Sequence, residues 1–186
     1  MKVLFVFSGN DEQPIIMSQA KSLINEDLDL SYFTIKGKGI VGYLKSVPLL
    51  RKKIKQNNFD IIHAHYSMSG FVASLARVRP LIVSLMGTDV KAEKKFRFII
   101  KLCYKFSWFK TIVKSTDMKK TLNLKNINVI PNGVDINKFM PIDRKYACKK
   151  IGWDLSKKNI LFASNPTRVE KNFPLAQKAF THMKTP

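Results

Sequence analysis

The chain has only two cysteines, Cys103 and Cys148, in 186 residues, too few for a disulfide framework and in keeping with a reducing compartment. Long apolar runs are missing as well. The longest nearly uncharged apolar stretches, such as residues 81–86, fall far short of the roughly 18–20 residues that cross a bilayer, so nothing reads as a span. Acidic residues are scarce: 13 Asp plus Glu stand against 33 Lys plus Arg, for a formal charge of +20. That balance excludes an acidic protein and implies attraction to polyanions whatever the fold. With 45% apolar residues the chain is not a disordered polyelectrolyte, because disorder needs low hydrophobicity together with high charge. A basic globular protein remains, of a length that suits one domain with some residues left over. Met1-Lys2 and the apolar Val3-Leu4-Phe5-Val6-Phe7 look like a short signal peptide. Ser8-Gly9-Asn10-Asp11-Glu12 follows without a small-residue cleavage site, so the segment reads as a first strand and the cytoplasm as the default compartment.

What the chain does have is alternation. Strand-type runs are expected at 2–8, 28–34, 60–64, 81–85, 111–114 and 128–130, with helices at 14–25, 41–56, 70–77, 91–110 and 117–122. This βα rhythm predicts an α/β fold on a parallel sheet, and the unbroken Leu81-Ile82-Val83 suits a strand covered on both faces. Pro48 is expected to kink or split the second helix. Residues 1–130 then form a first domain, and the turn-rich, charged residues 131–158 a connector with a short helix at 145–151. Residues 159–186, with a strand at 159–163 and a helix at 173–183, follow. One strand and one helix bury no core alone, so this last piece either docks on the sheet or opens a second domain.

In open parallel sheets ligands gather beyond the carboxyl ends of the strands. Four such ends carry polar residues. After the first strand, Gly9 lets backbone amides approach a ligand ahead of a helix N-terminus, although the G-x-G-x-x-G spacing is absent; a ligand loop and a plain turn both remain open. In Ile61-Ile62-His63-Ala64-His65-Tyr66 the two imidazoles share a strand face. His63 is expected in the sheet as a hydrogen-bonded core histidine, and His65 at its exit, lining a cleft; a metal site is not expected, for want of a third ligand at useful spacing. Met86-Gly87-Thr88-Asp89 breaks a strand into a tight turn. Asp89 could bind or deprotonate a sugar hydroxyl, or could cap the next helix, and on its own the cap is favoured. Arg168 and Lys171 precede the last helix, where two cations and free amides could converge on a diphosphate; a charged surface loop is the alternative. Residues 91–110 interleave lysines with Phe96, Phe98, Ile99, Phe106 and Phe109, the composition of an interfacial membrane helix or of a core-covering helix with solvated lysines. Arg51-Lys52-Lys53 and Lys149-Lys150 add to the charge and favour peripheral contact with an anionic membrane.

Taken in order, these pieces resemble glycosyltransferase family 4. Asp60-Ile61-Ile62-His63-Ala64-His65, with Gly70 after it, is similar to the family's D-[IV]-[IV]-H-x-H segment, and Gly87-Thr88-Asp89 to its G-[ST]-D turn. Val129-Ile130-Pro131-Asn132-Gly133-Val134-Asp135, then Phe139 and Pro141, resembles its interdomain connector, and Ile160 through Arg168, Lys171 and Phe173 the opening of its donor domain. The resemblance implies a Rossmann-like, doubly wound parallel sheet forming the N-terminal, acceptor-side half of a GT-B enzyme. That enzyme would be a retaining transferase moving sugar from a nucleotide-diphosphate donor to a glycan or lipid-linked acceptor, with no cofactor and no metal. By the same resemblance His65 and Asp89 border the reacting sugar as catalytic residues, Gly9 and Gly87 line the substrates, and Lys171 with Arg168 neutralises the leaving diphosphate. Met86 stands where many members carry His, and the paired-glutamate segment of the donor domain is absent. The chain is therefore expected to be a fragment, truncated early in the donor domain and inactive alone, from an enzyme of polysaccharide biosynthesis at the inner membrane face. A competing reading makes it a non-enzymatic basic module on membrane or nucleic acid, but no nucleic-acid-binding signature is present and no specific nucleic-acid partner is expected.

Overall fold

The structure, a computed structural model, describes residues 1–9, 13–24, 26–37, 39–90 and 94–183. Asn10, Asn25 and Lys91, which the expected first loop and two expected helix ends include, lie outside the described residues. The chain divides into two compact units, Met1–Asp135 and Ile136–Pro186.

The first unit is built on strands β1 (Lys2–Ser8), β2 (Asp29–Ile35), β3 (Ile61–His65), β4 (Leu81–Ser84), β5 (Lys110–Val113) and β6 (Ile127–Val129). They form one sheet in the order β2-β1-β3-β4-β5-β6, parallel throughout. Helices α1 (Pro14–Ile24), α2 (Gly39–Gln56), α3 (Ser67–Leu75), α4 (Lys94–Phe106) and α5 (Thr116–Leu122) make the connections. This is the α/β, Rossmann-like arrangement expected, and its strand order reverses between β1 and β3, where doubly wound sheets open a crevice.

Alternation along the strands decides which helix covers what. Leu4, Val6, Ile62, Ala64 and Val83 share a core with Leu50 of α2, Val72 of α3, Ile100 of α4 and Leu122 of α5. Val3, Phe5 and Phe7 point the other way and pack on Ile16 and Ala20 of α1. The cause is topological: β1 to β2 runs one way along the sheet and every later connection the other, so crossovers of one hand place α1 on one face and α2 to α5 on the other. His63 pairs in register with Phe5 and so lies on the α1 side, as does His65 two residues on.

The elements depart from the sequence reading in several places, and α3 begins at Ser67 and α4 ends at Phe106 where 70 and 110 were expected. Pro48 does not split α2, which runs unbroken for 18 residues. β3 extends through His65, because Ser84 of β4 pairs with it. In the second unit, α6 (Arg144–Ile151), a 3-10 turn (Val169–Lys171) and α7 (Phe173–Thr181) form, but the expected strand at 159–163 does not. A strand exists only with a ladder partner, and among the described residues none pairs there; Ile160 and Leu161 stay 60% and 69% exposed.

Candidate active site at the carboxyl edge of the sheet

Neighbouring strands β1, β3, β4 and β5 end side by side, so the residues that follow them form one crest. Gly9 leaves β1 with φ +108°, a conformation closed to most side chains, and a Cβ there would strike the Gln13 side chain. Gly87 follows β4 with φ +116° and has open space where a side chain would stand. Between them Tyr66 joins β3 to α3 with φ 78° and ψ 147°, a region normally left to glycine. It is held there by its amide donating to the Ser84 carbonyl at 2.8 Å and its own carbonyl accepting from the Gly70 amide at 3.1 Å.

Asp89 ties the β3 and β4 tips together. Its Oδ1 accepts from the amides of Gly87 (2.8 Å), Met86 (3.1 Å) and Val90 (3.1 Å), and its Oδ2 from Met86 and from Ser67 at the start of α3, both at 3.2 Å. The residue has no exposed surface. Its negative charge sits at the positive end of α3, so that helix terminus already holds an anion. In this structure Asp89 organises the turn instead of presenting a carboxylate to solvent, and the helix start its carboxylate meets is that of α3; the start of the following helix, which it was expected to cap, lies outside the described residues.

The two histidines stack, ring centroids 4.2 Å apart, with Phe5 edge-on to both. His63 Nε2 shares a hydrogen bond with Ser84 Oγ at 2.9 Å, the core environment expected of it. His65 is only 2% exposed and lies at the strand end with Nε2 buried and without a hydrogen-bond partner, as are Ser67 Oγ and Ser69 Oγ beside it in sequence. Burial, and then the nearby Lys114 ammonium, pushes the His63 pKa down to about 4. Burial, then His63, then Lys114 depress His65 further, so both rings are neutral at physiological pH.

Lys114 went unnoticed in the sequence. It is the first residue after β5, half-buried, with its pKa lowered by burial, and it acts electrostatically on both imidazoles. Only the sheet order brings it to the crest; its one sequence signal is its place as the last residue of the expected strand at 111–114. Arg168 and Lys171 lie in the second unit. Arg168 Nε donates to Glu170 Oε1 at 2.7 Å and its guanidinium forms an ion pair with the same carboxylate. Lys171 closes the 3-10 turn immediately ahead of α7. Thus Gly9, His65, Gly87 and Asp89 share one edge of the first unit, and the two cations belong to the second. Among the described residues no group of three His, Cys, Asp or Glu side chains converges as a metal site.

Comparison with known proteins decides the family. The model of Glycosyltransferase Family 4 matches residues 15–138. The chain belongs to that family. A curated relative from Escherichia coli, a UDP-Gal:alpha-D-GlcNAc-diphosphoundecaprenol alpha-1,3-galactosyltransferase, is 29% identical over 138 residues. The match covers 64% of this chain and 35% of that enzyme, so the chain spans about a third of its relative's length.

Proposed function

We propose that the protein to which this family 4 chain belongs transfers a sugar from a nucleotide diphosphate to a lipid-linked saccharide diphosphate, with retained configuration, at a membrane surface. Family membership is the observation that carries this reading. The donor and acceptor classes are those in the relative's name. In this reading the Met1–Asp135 unit is the acceptor side of a GT-B enzyme, and the segment holding Arg168 and Lys171 begins the donor side.

The chemistry suits the residues. Departure of a nucleoside diphosphate builds negative charge, and fixed cations lower that barrier more than they stabilise the ground state. Lys171 supplies one such charge, and Arg168 a second once it exchanges Glu170 for phosphate. Gly9 leaves the end of β1 open to a substrate diphosphate, and the edge that carries Gly87 above the buried His65 takes the sugar and acceptor. Asp89 acts as a positioning residue, fixing the β4 turn against α3. Lys114 meets the acceptor's diphosphate. No metal cofactor is needed in this scheme, because side-chain cations carry the countercharge.

Calorimetric titration with a short-chain prenyl-diphosphate-linked N-acetylglucosamine tests the acceptor half. Lys114→Ala is expected to weaken binding by about ten- to a hundred-fold, the loss of one charge-assisted contact. Equal affinity for both proteins removes Lys114 from the site, and no binding by either rejects the acceptor assignment.

A further inference from the structure

Helix α4 has more apolar surface than the sheet can use. Phe96, Ile100, Cys103 and Tyr104 face the core. A second apolar row, Phe98, Leu102 and Phe106, recurs every fourth residue on the outer side and is 66%, 49% and 63% exposed, with Ile99 beside it at 43%. Phe109, just past the helix, continues the row and is 67% exposed. Ordinary solvated helices carry polar groups in that position.

Cations border the row. Lys94, Lys101 and Lys105 recur at seven- and four-residue spacings along the adjacent exposed strip, and the helix, KKFRFIIKLCYKF, holds no acid. Lys105 Nζ lies 5.2 Å above the Phe106 ring and Lys110 Nζ 5.7 Å above that of Phe109. At the foot of α4 a recess of about 360 Å³ is lined by Arg79, Lys105, Phe106, Trp108 and Phe109, so two cations meet three aromatic rings.

We propose that this outer face of α4, continued through Phe109, is the surface by which the protein lies on an anionic bilayer. Aromatic and aliphatic side chains enter the headgroup–acyl boundary, and the lysine strip with Arg79 meets lipid phosphates. Charge selects this occupant over a second copy of the chain: two copies face to face would oppose identical lysine strips on molecules of charge +20. Five exposed apolar residues distinguish the face from purely basic surface, which attracts polyanions without inserting anything. The proposal deepens the lipid-linked acceptor reading, and its test contains neither acceptor nor nucleotide, so the two fail separately.

The test is co-sedimentation with vesicles of phosphatidylglycerol and phosphatidylcholine, compared with phosphatidylcholine alone, at low and high salt. The protein is expected to bind the anionic vesicles and to retain part of that binding at high salt, where screening removes purely ionic attraction. Phe98→Ser/Phe106→Ser, which leaves the charge unchanged, is expected to lower partitioning at least tenfold with an unaltered circular dichroism spectrum. Phe106→Trp provides a probe that keeps the apolar face. The emission it adds to that of the wild-type protein is expected to shift to the blue on vesicles and to be quenched by brominated acyl chains. Wild-type binding by the double serine variant, or unshifted added emission from the Phe106→Trp variant, would show that net charge alone holds the protein and would overturn the proposal. So would a dimer in sedimentation equilibrium that the serine substitutions dissolve while vesicles bind nothing.

Discussion

At the scale of single residues, Asp89 shows how a structural setting changes a chemical expectation. An aspartate in a turn after a strand can act on substrate or fix backbone, and only three-dimensional neighbours separate these roles. Here four amides, one of them from α3, surround the carboxylate. Asp89→Asn keeps one acceptor oxygen but removes the charge and gives the site an amide donor facing amide donors. It is expected to destabilise the first unit by about 2–4 kcal/mol. Urea unfolding followed by Trp108 fluorescence in a Trp153→Phe background measures this; an unchanged midpoint would mean that the clamp contributes nothing. The histidine pair makes a separate prediction about pH. Both rings have pKa values lowered by folding, so protons bind the unfolded chain first. Stability is therefore full above pH 6.5 and is lost as pH falls below it, at about 1.4 kcal/mol per pH unit for each ring. For His63 the loss levels off near its folded value of about 4. His63→Gln/His65→Gln should flatten the dependence between pH 6.5 and 4.5, as read from unfolding midpoints across that range; an unaltered slope would assign it to other groups.

At the scale of elements, most of the fold was legible because apolar runs and helix-length segments alternate so regularly. Each strand of the sheet lies within about a residue of its expected place. The failures have physical causes. The segment at 159–163 has the apolar character of a strand, but strand formation needs a partner that propensity does not supply. Pro48 reads as a helix breaker, yet packing of Tyr43, Val47 and Leu50 against the sheet core carries α2 through it. Replacing Pro48 with Ala restores an amide donor and is expected to raise stability by about 1–3 kcal/mol in urea unfolding; a loss would show that the sheet needs the proline's local geometry. Gly70 is legible only as part of a motif, and the structure gives the reason for it. A Cβ there would stand 3.0 Å from Val83 Cγ1 and 3.1 Å from Trp108 Cζ2, so α3 lies against the sheet at glycine distance. Gly70→Leu should cost about 1–3 kcal/mol or more by forcing α3 outward, and an unperturbed midpoint would mean that the helix moves freely. Of the crest, the glycines, His65 and Asp89 were visible as residues at strand ends. The strained Tyr66 backbone and the approach of Lys114 were not, since one depends on φ and ψ and the other on which strands are neighbours.

At the scale of the whole molecule, two asymmetries organise the account. Excess positive charge is spread along the chain, and α4 couples its share of the lysines to a long exposed apolar row. Polar strand ends, in contrast, gather at one edge of the sheet. Gly9, Tyr66, Gly87 and Lys114 follow four adjacent strands, and under the proposed function this edge is the one that borders the acceptor. Amide hydrogen exchange of the chain with and without a short-chain prenyl-diphosphate-linked N-acetylglucosamine tests it directly. The account predicts slower exchange at these four positions and at the start of α3, with the amino ends of the same strands unchanged. Protection confined to the amino ends, or spread evenly over the basic surface, would contradict it.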